Sequence, residues 1–457
     1  REANRVDRNN VLDEYETIKT LAAKMRKNPK PIIIEAMTFR MRGHEEASGT
    51  KYVPKELMEQ WAEKDPVSKF QSYLLKNKII TTAFIEELQN KIMADIEEGL
   101  NTAYAEDIPV PSTDTELEDM YAPFEQKVIS PADSTLSNKR YVDAISDGLR
   151  QSLEKYPELI FMGQDVADYG GVFKISEGFV EQFGKDRIRN TPLCESAIIG
   201  IGLGLSIKKQ KSVIEMQFAD FVTCGFNQIV NNLAKSHYRW GQNSDVVIRM
   251  PTGAGVAAGP YHSQSNEAWF FHTPGLKVVY PSNPHDAKGL LAAAIEDPNP
   301  VMYFEHKVLY RSLDADIPDA YYTTEIGKAV SVTEGEDISI ITYGMGVHWA
   351  KAAAKQHKGA LEILDLRTLN PIDWEAVIDS TKRHGKVLVL TEEPLMNSFA
   401  ESLAGRISKE CFQQLDGPVQ TLGAANLPAI PLNVELEKQM LPNADKVERA
   451  IAELRGY

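Results

Sequence analysis

The chain has 457 residues, 43% hydrophobic and 25% charged, which is typical of an ordinary globular protein with roughly three domains of about 150 residues each. Its formal net charge of −15 argues against nucleic acid as a partner, because phosphate contacts need clustered Lys and Arg, and leaves room for a basic protein partner. Three scattered cysteines fit neither a zinc site nor a disulfide framework, and no apolar run is long enough to cross a bilayer. The sequence therefore predicts a cytoplasmic protein without a membrane span.

The N-terminal part of the chain is predicted to form a helix followed by a buried strand. Asn10 suits a helix N-cap, and apolar residues then recur at helical spacing. Residues 31–36 (PIIIEA) predict a strand, and further helical patterns follow at 67–75 and 82–104. Because a helix leading into a strand is half of a βαβ unit, we expect the partner strands to precede Arg1 and the chain to be a fragment or a processed product.

Two α/β blocks follow a predicted linker at 106–138, which holds four prolines and no periodic pattern. In the central block, 139–315, short apolar runs alternate with helical patterns, including one long helix at 220–239. This alternation predicts a mostly parallel sheet covered by helices on both faces, with ligands bound beyond the carboxyl ends of the strands. The C-terminal block, 325–457, repeats the alternation on a smaller scale.

Glu195 stands between a predicted strand and a segment of small residues that suits the start of a helix. A carboxylate in that position lies at a strand end beside a helix N-terminus, where α/β proteins place their sites. On spacing alone, a carboxylate that only offsets the helix dipole is the more ordinary interpretation.

Residues 253–259 (GAGVAAG) follow a predicted strand and resemble a dinucleotide-binding loop, but the third glycine comes one residue too late and no helical pattern follows. We therefore favour a mobile, glycine-rich active-site loop. His262, just past this loop, is a candidate to move protons near neutral pH, with a purely structural histidine as the alternative. His44, preceded by Arg40, can serve an anionic ligand, although the adjacent Glu45 and Glu46 could satisfy these cations as surface pairs.

Several motifs occur together in one order: RNTPLCE (189–195), QFADF (217–221), YHSQS (261–265), PGLKVV (274–279) and DLRTLNP (365–371). With the shorter FRMRGH (39–44), they resemble the E1 component of the 2-oxoacid dehydrogenase complexes, a thiamine diphosphate enzyme of transketolase-like α/β fold. The resemblance covers almost the whole chain. Residues 1–105 are similar to the C-terminal part of the E1 α subunit. Residues 139–315 and 325–457 resemble the pyrimidine-binding domain and the transketolase C-terminal-like domain of the β subunit.

The resemblance implies three catalytic residues. Glu195 would bind N1′ of the cofactor's aminopyrimidine and so activate the cofactor. His262 would assist the later transfer of an acyl group. His44 would lie near the diphosphate and the bound intermediate.

The resemblance also implies the residues around the cofactor. Leu193, Gln217 and Phe221 would line its pocket, and Arg40 would lie in the same loop as His44. Asp297 and Asn299, with nearby backbone carbonyls, would form a structural potassium site.

One departure from the family concerns the diphosphate. The Gly-Asp-Gly motif that holds the diphosphate and magnesium in relatives is absent from this sequence, and we expect it to lie upstream of Arg1. We therefore expect this chain to carry only the aminopyrimidine half of the site and to bind thiamine diphosphate weakly by itself.

The implied reaction is oxidative decarboxylation of a 2-oxoacid and reductive acylation of the lipoyl group of an E2 acyltransferase. The LCE and YHSQS sequences favour branched-chain substrates such as 2-oxoisovalerate, with pyruvate next. The alternatives are a transketolase or deoxyxylulose-phosphate synthase, and an inactive fragment that serves in assembly. Since thiamine sites of this family form between chains, we expect at least a homodimer.

Overall fold

The computed structural model describes residues 2–45 and 47–457. The chain divides into two compact units, Arg1–Pro111 and Ser112–Tyr457. The division falls inside the proline-containing stretch 106–138. Every helix in the described part of the chain is too short or too polar to span a bilayer.

The first unit is a βαβ unit with further helices after it. Its elements are β1 (Glu2–Asp7), α1 (Val11–Lys27), β2 (Ile32–Met37), α2 (Lys55–Ala62), α3 (Pro66–Lys76) and α4 (Thr82–Ala105). β1 and β2 are parallel neighbours. Asn10 caps α1 by accepting a hydrogen bond from the Leu12 N–H, which confirms the predicted N-cap.

The expectation that the partner strands of β2 precede Arg1 is wrong for at least one of them, because β1 pairs with β2 within this chain. β1 has no apolar alternation, since Val6 is the one buried residue of its six, so its sequence carries no strand pattern. β2 is less buried than predicted: Ile33 and Ile34 are 55% and 38% exposed.

The central block of the second unit alternates strands and helices. Its elements are α5 (Thr113–Glu118), β3 (Leu136–Arg140), α6 (Tyr141–Lys155), β4 (Ile160–Gly163), α7 (Phe179–Phe183), β5 (Ile188–Asn190), α8 (Glu195–Ile207), β6 (Ser212–Glu215), α9 (Ser236–Trp240), β7 (Val246–Thr252), α10 (Ala268–Phe271), β8 (Lys277–Val279), α11 (Pro284–Glu296), β9 (Val301–His306), α12 (Leu309–Ser312) and β10 (Asp314–Pro318).

The C-terminal block also alternates. Its elements are β11 (Val330–Thr333), β12 (Ile338–Thr342), α13 (Met345–Ala354), β13 (Leu361–Asp365), β14 (Thr368–Asn370), α14 (Trp374–His384), β15 (Val387–Pro394), α15 (Phe399–Glu410), a 3-10 turn (Phe412–Gln414), β16 (Gln420–Ala424), α16 (Val434–Met440) and α17 (Ala444–Leu454).

The main sheet has seven strands in the order β14-β8-β9-β7-β6-β4-β5, all parallel except β14. β14 comes from the C-terminal block, so the two blocks share this sheet. The remaining strands of the C-terminal block form a five-stranded sheet, and β3 and β10 form a small antiparallel pair. The predicted, mostly parallel α/β architecture is confirmed.

Successive residues of the central strands enter two different cores. Val213 and Val247 pack in one core with α6 and α11, whereas Ile214 and Ile248 pack in the other core with α8. Because neighbouring residues of a strand point to opposite faces, both faces need apolar side chains. The short, unbroken apolar runs of the sequence have this cause.

The predicted long helix at 220–239 is instead a series of short turns. A 3-10 helix (Ala219–Gly225) is followed by a π-helical turn (Gln228–Asn232), another 3-10 turn (Leu233–Lys235) and α9. Tight and wide turns in succession average to the α-helical spacing, so apolar periodicity does not distinguish them. π-helical turns recur at functional sites, and this one lies near Glu195.

Candidate active site at the carboxyl ends of the parallel strands

Three polar residues are joined by hydrogen bonds where neighbouring parallel strands end. Gln164 follows β4 directly, Glu195 opens α8 after β5, and Gln217 follows β6. Gln164 donates from Nε2 to Glu195 Oε1 at 3.0 Å, and Gln217 Nε2 donates to the Gln164 carbonyl at 3.5 Å. The structure thus brings the predicted Glu195 and Gln217 together through Gln164. The sequence analysis missed Gln164, although its position after a predicted strand is the signal that singled out Glu195.

Glu195 is half-buried at the first position of α8, and its preceding N-cap residue, Cys194, makes no side-chain capping hydrogen bond. No described residue donates a hydrogen bond to its second oxygen, Oε2. The Oε1 of Gln164 is buried and has no partner in the described part of the chain. Glu195 Oε2 and Gln164 Oε1 are therefore two neighbouring acceptor oxygens without a described partner, and the second of them is buried.

An open depression of about 530 Å³ lies beside Glu195. It is lined by Cys194, Glu195, Ser196, Ala197, Gly200, Cys224 and Gln228. Gln228 belongs to the π-helical turn and Gly200 to α8. Small side chains on α8 keep this depression open beside the carboxylate.

Aromatic rings form a wall next to this edge. Phe218, directly after Gln217, packs edge-on against His262 with a centroid separation of 4.7 Å. Phe221 packs on the same imidazole at 5.6 Å. Phe221 and His262 were predicted for this site; Phe218 was missed, because an apolar residue after a strand looks like an ordinary core residue.

The glycine loop, residues 253–259, follows β7 at the same edge of the sheet. Gly253, Gly255 and Gly259 have φ of +86°, +85° and +75°, which favours glycine there. Its backbone amides are hydrogen-bonded to Glu392 and Glu437 of the C-terminal block. The loop was predicted to be mobile, but its first half is held by hydrogen bonds to the C-terminal block.

The other predicted site residues lie apart from this cluster or in the first unit. Leu193 is 82% exposed, and its role in a pocket stays a prediction. Arg40 and His44 are exposed in the segment after β2, in the first unit, so their placement near a diphosphate also stays a prediction. Glu46 lies outside the described residues.

Asp297 and Asn299 do not fit a potassium ion held by their side chains. The ammonium of Lys277 binds Asp297 Oδ2, and Asn299 donates to Oδ1 from its backbone N–H at 2.9 Å and from Nδ2 at 2.8 Å. Asn299 Oδ1 accepts a hydrogen bond from the Ala122 N–H at 2.7 Å. These oxygens are engaged, and a lysine already supplies the positive charge.

Comparison with known proteins places these features in a family. The description "Transketolase, pyrimidine binding domain" matches residues 137–312, "Transketolase, C-terminal domain" matches 327–447, and "Dehydrogenase E1 component" matches 4–112. The β subunit of 2-oxoisovalerate dehydrogenase from Bacillus subtilis is 44% identical over 329 residues, covering 70% of this chain and 100% of that protein. The chain belongs to the E1 components of the 2-oxoacid dehydrogenases.

Other E1 relatives agree with this assignment. The mitochondrial 2-oxoisovalerate dehydrogenase subunit beta 2 of Arabidopsis thaliana is 39% identical, over 69% of this chain and 88% of that protein. The pyruvate dehydrogenase E1 β subunit of Staphylococcus aureus is 38% identical, over 68% of this chain and 96% of that protein. A solved structure, "Split gene transketolase, inactive beta4 tetramer", covers 69% of this chain and 98% of its own with a TM-score of 0.58; at 21% identity it shows the fold alone. The predicted family and fold are confirmed.

Membership of the E1 family implies that thiamine diphosphate is the cofactor. It also implies that the protein acts within a complex that includes E2. The unpaired Oε2 of Glu195 is suited to accept a hydrogen bond from an aminopyrimidine, and the aromatic wall formed by Phe218 and Phe221 follows the neighbouring strand end. Within residues 2–45 and 47–457, no group of three or more His, Cys, Asp or Glu side chains could hold a metal ion. That this chain carries only the aminopyrimidine half of the E1 cofactor site stays a prediction.

Proposed function

We propose that this chain supplies the aminopyrimidine half of a 2-oxoacid dehydrogenase E1 site, with Glu195 as the residue that activates the cofactor. The main observation in support of this proposal is the position of Glu195 at the start of α8. Its Oε1 accepts a hydrogen bond from Gln164, and its Oε2 has no described partner. A carboxylate fixed by one neighbour and open on its other oxygen is suited to bind a ring N–H of a ligand.

Thiamine diphosphate, when bound, supplies the carbanion and the electron sink for decarboxylation. Glu195 would hold a proton at the aminopyrimidine N1′ through its open oxygen. Gln164 would keep that carboxylate in one orientation. Phe218 and Phe221 would exclude water, and His262 would move a proton during acyl transfer to the lipoyl group of E2.

We infer that the preferred substrate is a branched-chain 2-oxoacid, with pyruvate second. Identity is higher to the 2-oxoisovalerate dehydrogenase β subunit of B. subtilis, 44%, than to the pyruvate dehydrogenase β subunit of S. aureus, 38%. The test is decarboxylation of 2-oxoisovalerate and of pyruvate by the assembled E1 enzyme. We expect the higher kcat/KM with 2-oxoisovalerate, and a higher value with pyruvate would overturn the assignment.

Glu195→Gln tests the activating role. The amide keeps the shape of the side chain but carries no charge, so we expect kcat to fall by a factor of about 100 or more. Because Glu195 is half-buried and accepts from Gln164 alone among described residues, the melting temperature should hardly change. Ser196→Ala, at the next position in the same depression, is the matched control. Full activity of Glu195→Gln would contradict the proposal.

We further infer that the chain forms a homodimer and that magnesium accompanies the cofactor in the complete E1 site, bound by the Gly-Asp-Gly motif that this sequence lacks. α8 leaves Ile201 and Ile207 50% and 54% exposed, beside Gly204, where an added Cβ would meet nothing within 4 Å. A helix face of this kind allows a second helix to approach closely. Light scattering of the purified protein is expected to give at least twice the chain mass, and a monomer would count against the dimer.

A further inference from the structure

Glu437 binds the glycine loop from the C-terminal block. Its Oε1 accepts from the Gly255 N–H at 2.9 Å, and its Oε2 accepts from the Ala257 N–H at 3.2 Å. Glu437 lies on α16 and is 3% exposed. One buried carboxylate thus holds two amides of the loop, an arrangement that gives strong, charge-assisted hydrogen bonds.

Glu392 and Lys307 hold the beginning of the same loop. Glu392 Oε1 accepts from the Ala254 N–H at 2.6 Å, and Lys307 donates from Nζ to the Gly253 carbonyl at 2.5 Å. Glu392 Oε2 lies 2.6 Å from His306 Nε2. Burial opposes ionisation of Glu392, but His306, the Ala254 N–H and Lys307 outweigh it and hold the pKa of this carboxyl below its ordinary value. An anionic Glu392 is the form that accepts from the loop amide.

Apolar packing reinforces the same attachment. Ala254 belongs to a buried cluster with Ala424, Ile430, Met440 and Leu441, all from the C-terminal block. Met440 ends α16, the helix that carries Glu437. The loop is therefore packed against the element that also binds its amides.

The attachment extends to His262 through the far end of the loop. The backbone N–H of His262 donates to the Gly259 carbonyl at 3.4 Å. Gln264 joins the end of the loop to its beginning. The Gln264 carbonyl accepts hydrogen bonds from Thr252 Oγ1 at 3.0 Å and from the Gly253 N–H at 3.4 Å. The chain from Gly253 to Gln264 is a closed loop with His262 near one end and the bound amides near the other.

We propose that Glu437, supported by Glu392, is a positioning residue for His262. The C-terminal block holds the glycine loop, and the loop holds the imidazole against Phe218 and Phe221. This inference rests on the proposed function for the role of His262 in acyl transfer. It adds two residues that are distant from His262 in sequence, one on α16 and one on β15, to those on which that step depends.

Glu437→Ala is the principal test, and Glu435→Ala is its matched control, since Glu435 lies on the same helix with an exposed side chain paired to Lys438. The first measurement is hydrogen exchange of peptides that cover residues 253–262 in the full chain. We expect exchange in Glu437→Ala to be faster by a factor of about ten or more, because two loop amides lose their acceptor. Peptides of the central strands should be unchanged.

The second measurement separates the two half-reactions in the assembled E1 enzyme. Decarboxylation is followed with an artificial electron acceptor, and acyl transfer is followed on a lipoyl-bearing E2 domain. In Glu437→Ala we expect acyl transfer to fall by a factor of about ten to 100 while decarboxylation is largely kept, because misplacement of one catalytic group is costly to its own step. His262→Ala should show the same selectivity.

Glu437→Gln is a conservative second variant, which keeps the test valid if Glu437→Ala does not fold. It keeps one acceptor oxygen, so it should restore part of the protection and part of the acyl transfer. Unchanged exchange of the loop in Glu437→Ala would overturn the inference, as would equal losses of both half-reactions in Glu437→Gln. A wild-type enzyme that decarboxylates no 2-oxoacid would overturn the proposed function instead, and loop exchange alone would then decide whether Glu437 holds the loop.

Discussion

Lys277 places an ammonium group where the family resemblance suggested a potassium ion. Its side chain is 15% exposed, and the Asp297 side chain that it binds is 1% exposed. The Asn299 and Ala122 contacts at the same point attach the segment before β3 to the central sheet. The cation at this junction is therefore part of the chain itself.

We therefore expect the melting temperature to be the same in KCl and in NaCl at equal ionic strength. Lys277→Met leaves the buried Asp297 charge without its cation, although Asn299 still donates to Oδ1, and should cost about 3 kcal/mol of unfolding free energy. Thermal melts in both salts measure the two effects, with the exposed Lys409→Met as control. A stabilisation of the wild type that is specific to potassium would show that backbone carbonyls bind the ion after all.

Glu267 gives the protein a pH-dependent stability. Burial raises the pKa of this carboxyl from 4.5 to about 7, despite a hydrogen bond from Tyr343 at 2.9 Å. The nearby charge of Glu392 acts in the same direction as burial. The folded protein therefore keeps a proton on Glu267 that the unfolded chain releases above pH 4.5.

It follows that the contribution of Glu267 is fully present below about pH 4.5 and is lost as the pH rises to about 7. Glu267→Gln cannot ionise and keeps an oxygen for Tyr343. Relative to wild type, the variant should gain up to about 3 kcal/mol of stability between pH 4.5 and pH 8. Urea unfolding at several pH values measures this difference. A difference that does not vary with pH would mean that Glu267 ionises normally.

At the scale of elements, the central strands β6, β7 and β9 were predictable because each is buried on both faces and carries a short apolar run. β1 was not predictable, since Val6 is its one buried residue. The π-helical turn was not predictable either, because its spacing is hidden by its 3-10 neighbours. The 3-10 helix before it ends in close contact with α8: a Cβ at Gly225 would lie 2.2 Å from Ile199 Cδ1.

Gly225→Ala tests this contact. The added methyl group would collide with Ile199 and displace the turn that precedes Gln228, so we expect a loss of about 1–3 kcal/mol of stability. Gly405→Ala in α15 is the matched control, because an added Cβ there meets nothing within 4 Å and alanine favours a helix by about 0.5–1 kcal/mol. Equal melting temperatures for the two variants would show that the turn adjusts freely.

At the scale of the whole molecule, motif order predicted the family and, through the resemblance, Gln217, whereas strand ends pointed to Glu195 and His262 as candidates. Contacts between distant positions were not predictable. Gly255 and Glu437 are 182 positions apart, and neither α16 nor its buried carboxylate had any pattern that pointed to the loop. Sequence patterns report local spacing and burial, whereas the positioning of a loop depends on which surfaces fold together.

The division of the cofactor site leads to a prediction for binding. The second unit offers an acceptor and an aromatic wall to an aminopyrimidine, whereas the Gly-Asp-Gly motif that holds the diphosphate and magnesium in relatives is absent from this sequence. Thiamine diphosphate should therefore bind this chain weakly, with a Kd on the order of 0.1–1 mM. Since the contacts are to the pyrimidine, thiamine without phosphates should bind about as well.

Calorimetry with thiamine and with thiamine diphosphate, each with and without magnesium, measures this. We expect similar affinities in all four titrations for the wild type and no binding for Glu195→Gln, because the variant loses the charge that faces the pyrimidine. Tight binding of the diphosphate that depends on magnesium would contradict the prediction. It would show that this chain completes the metal half of the site with residues that are not clustered in the described structure.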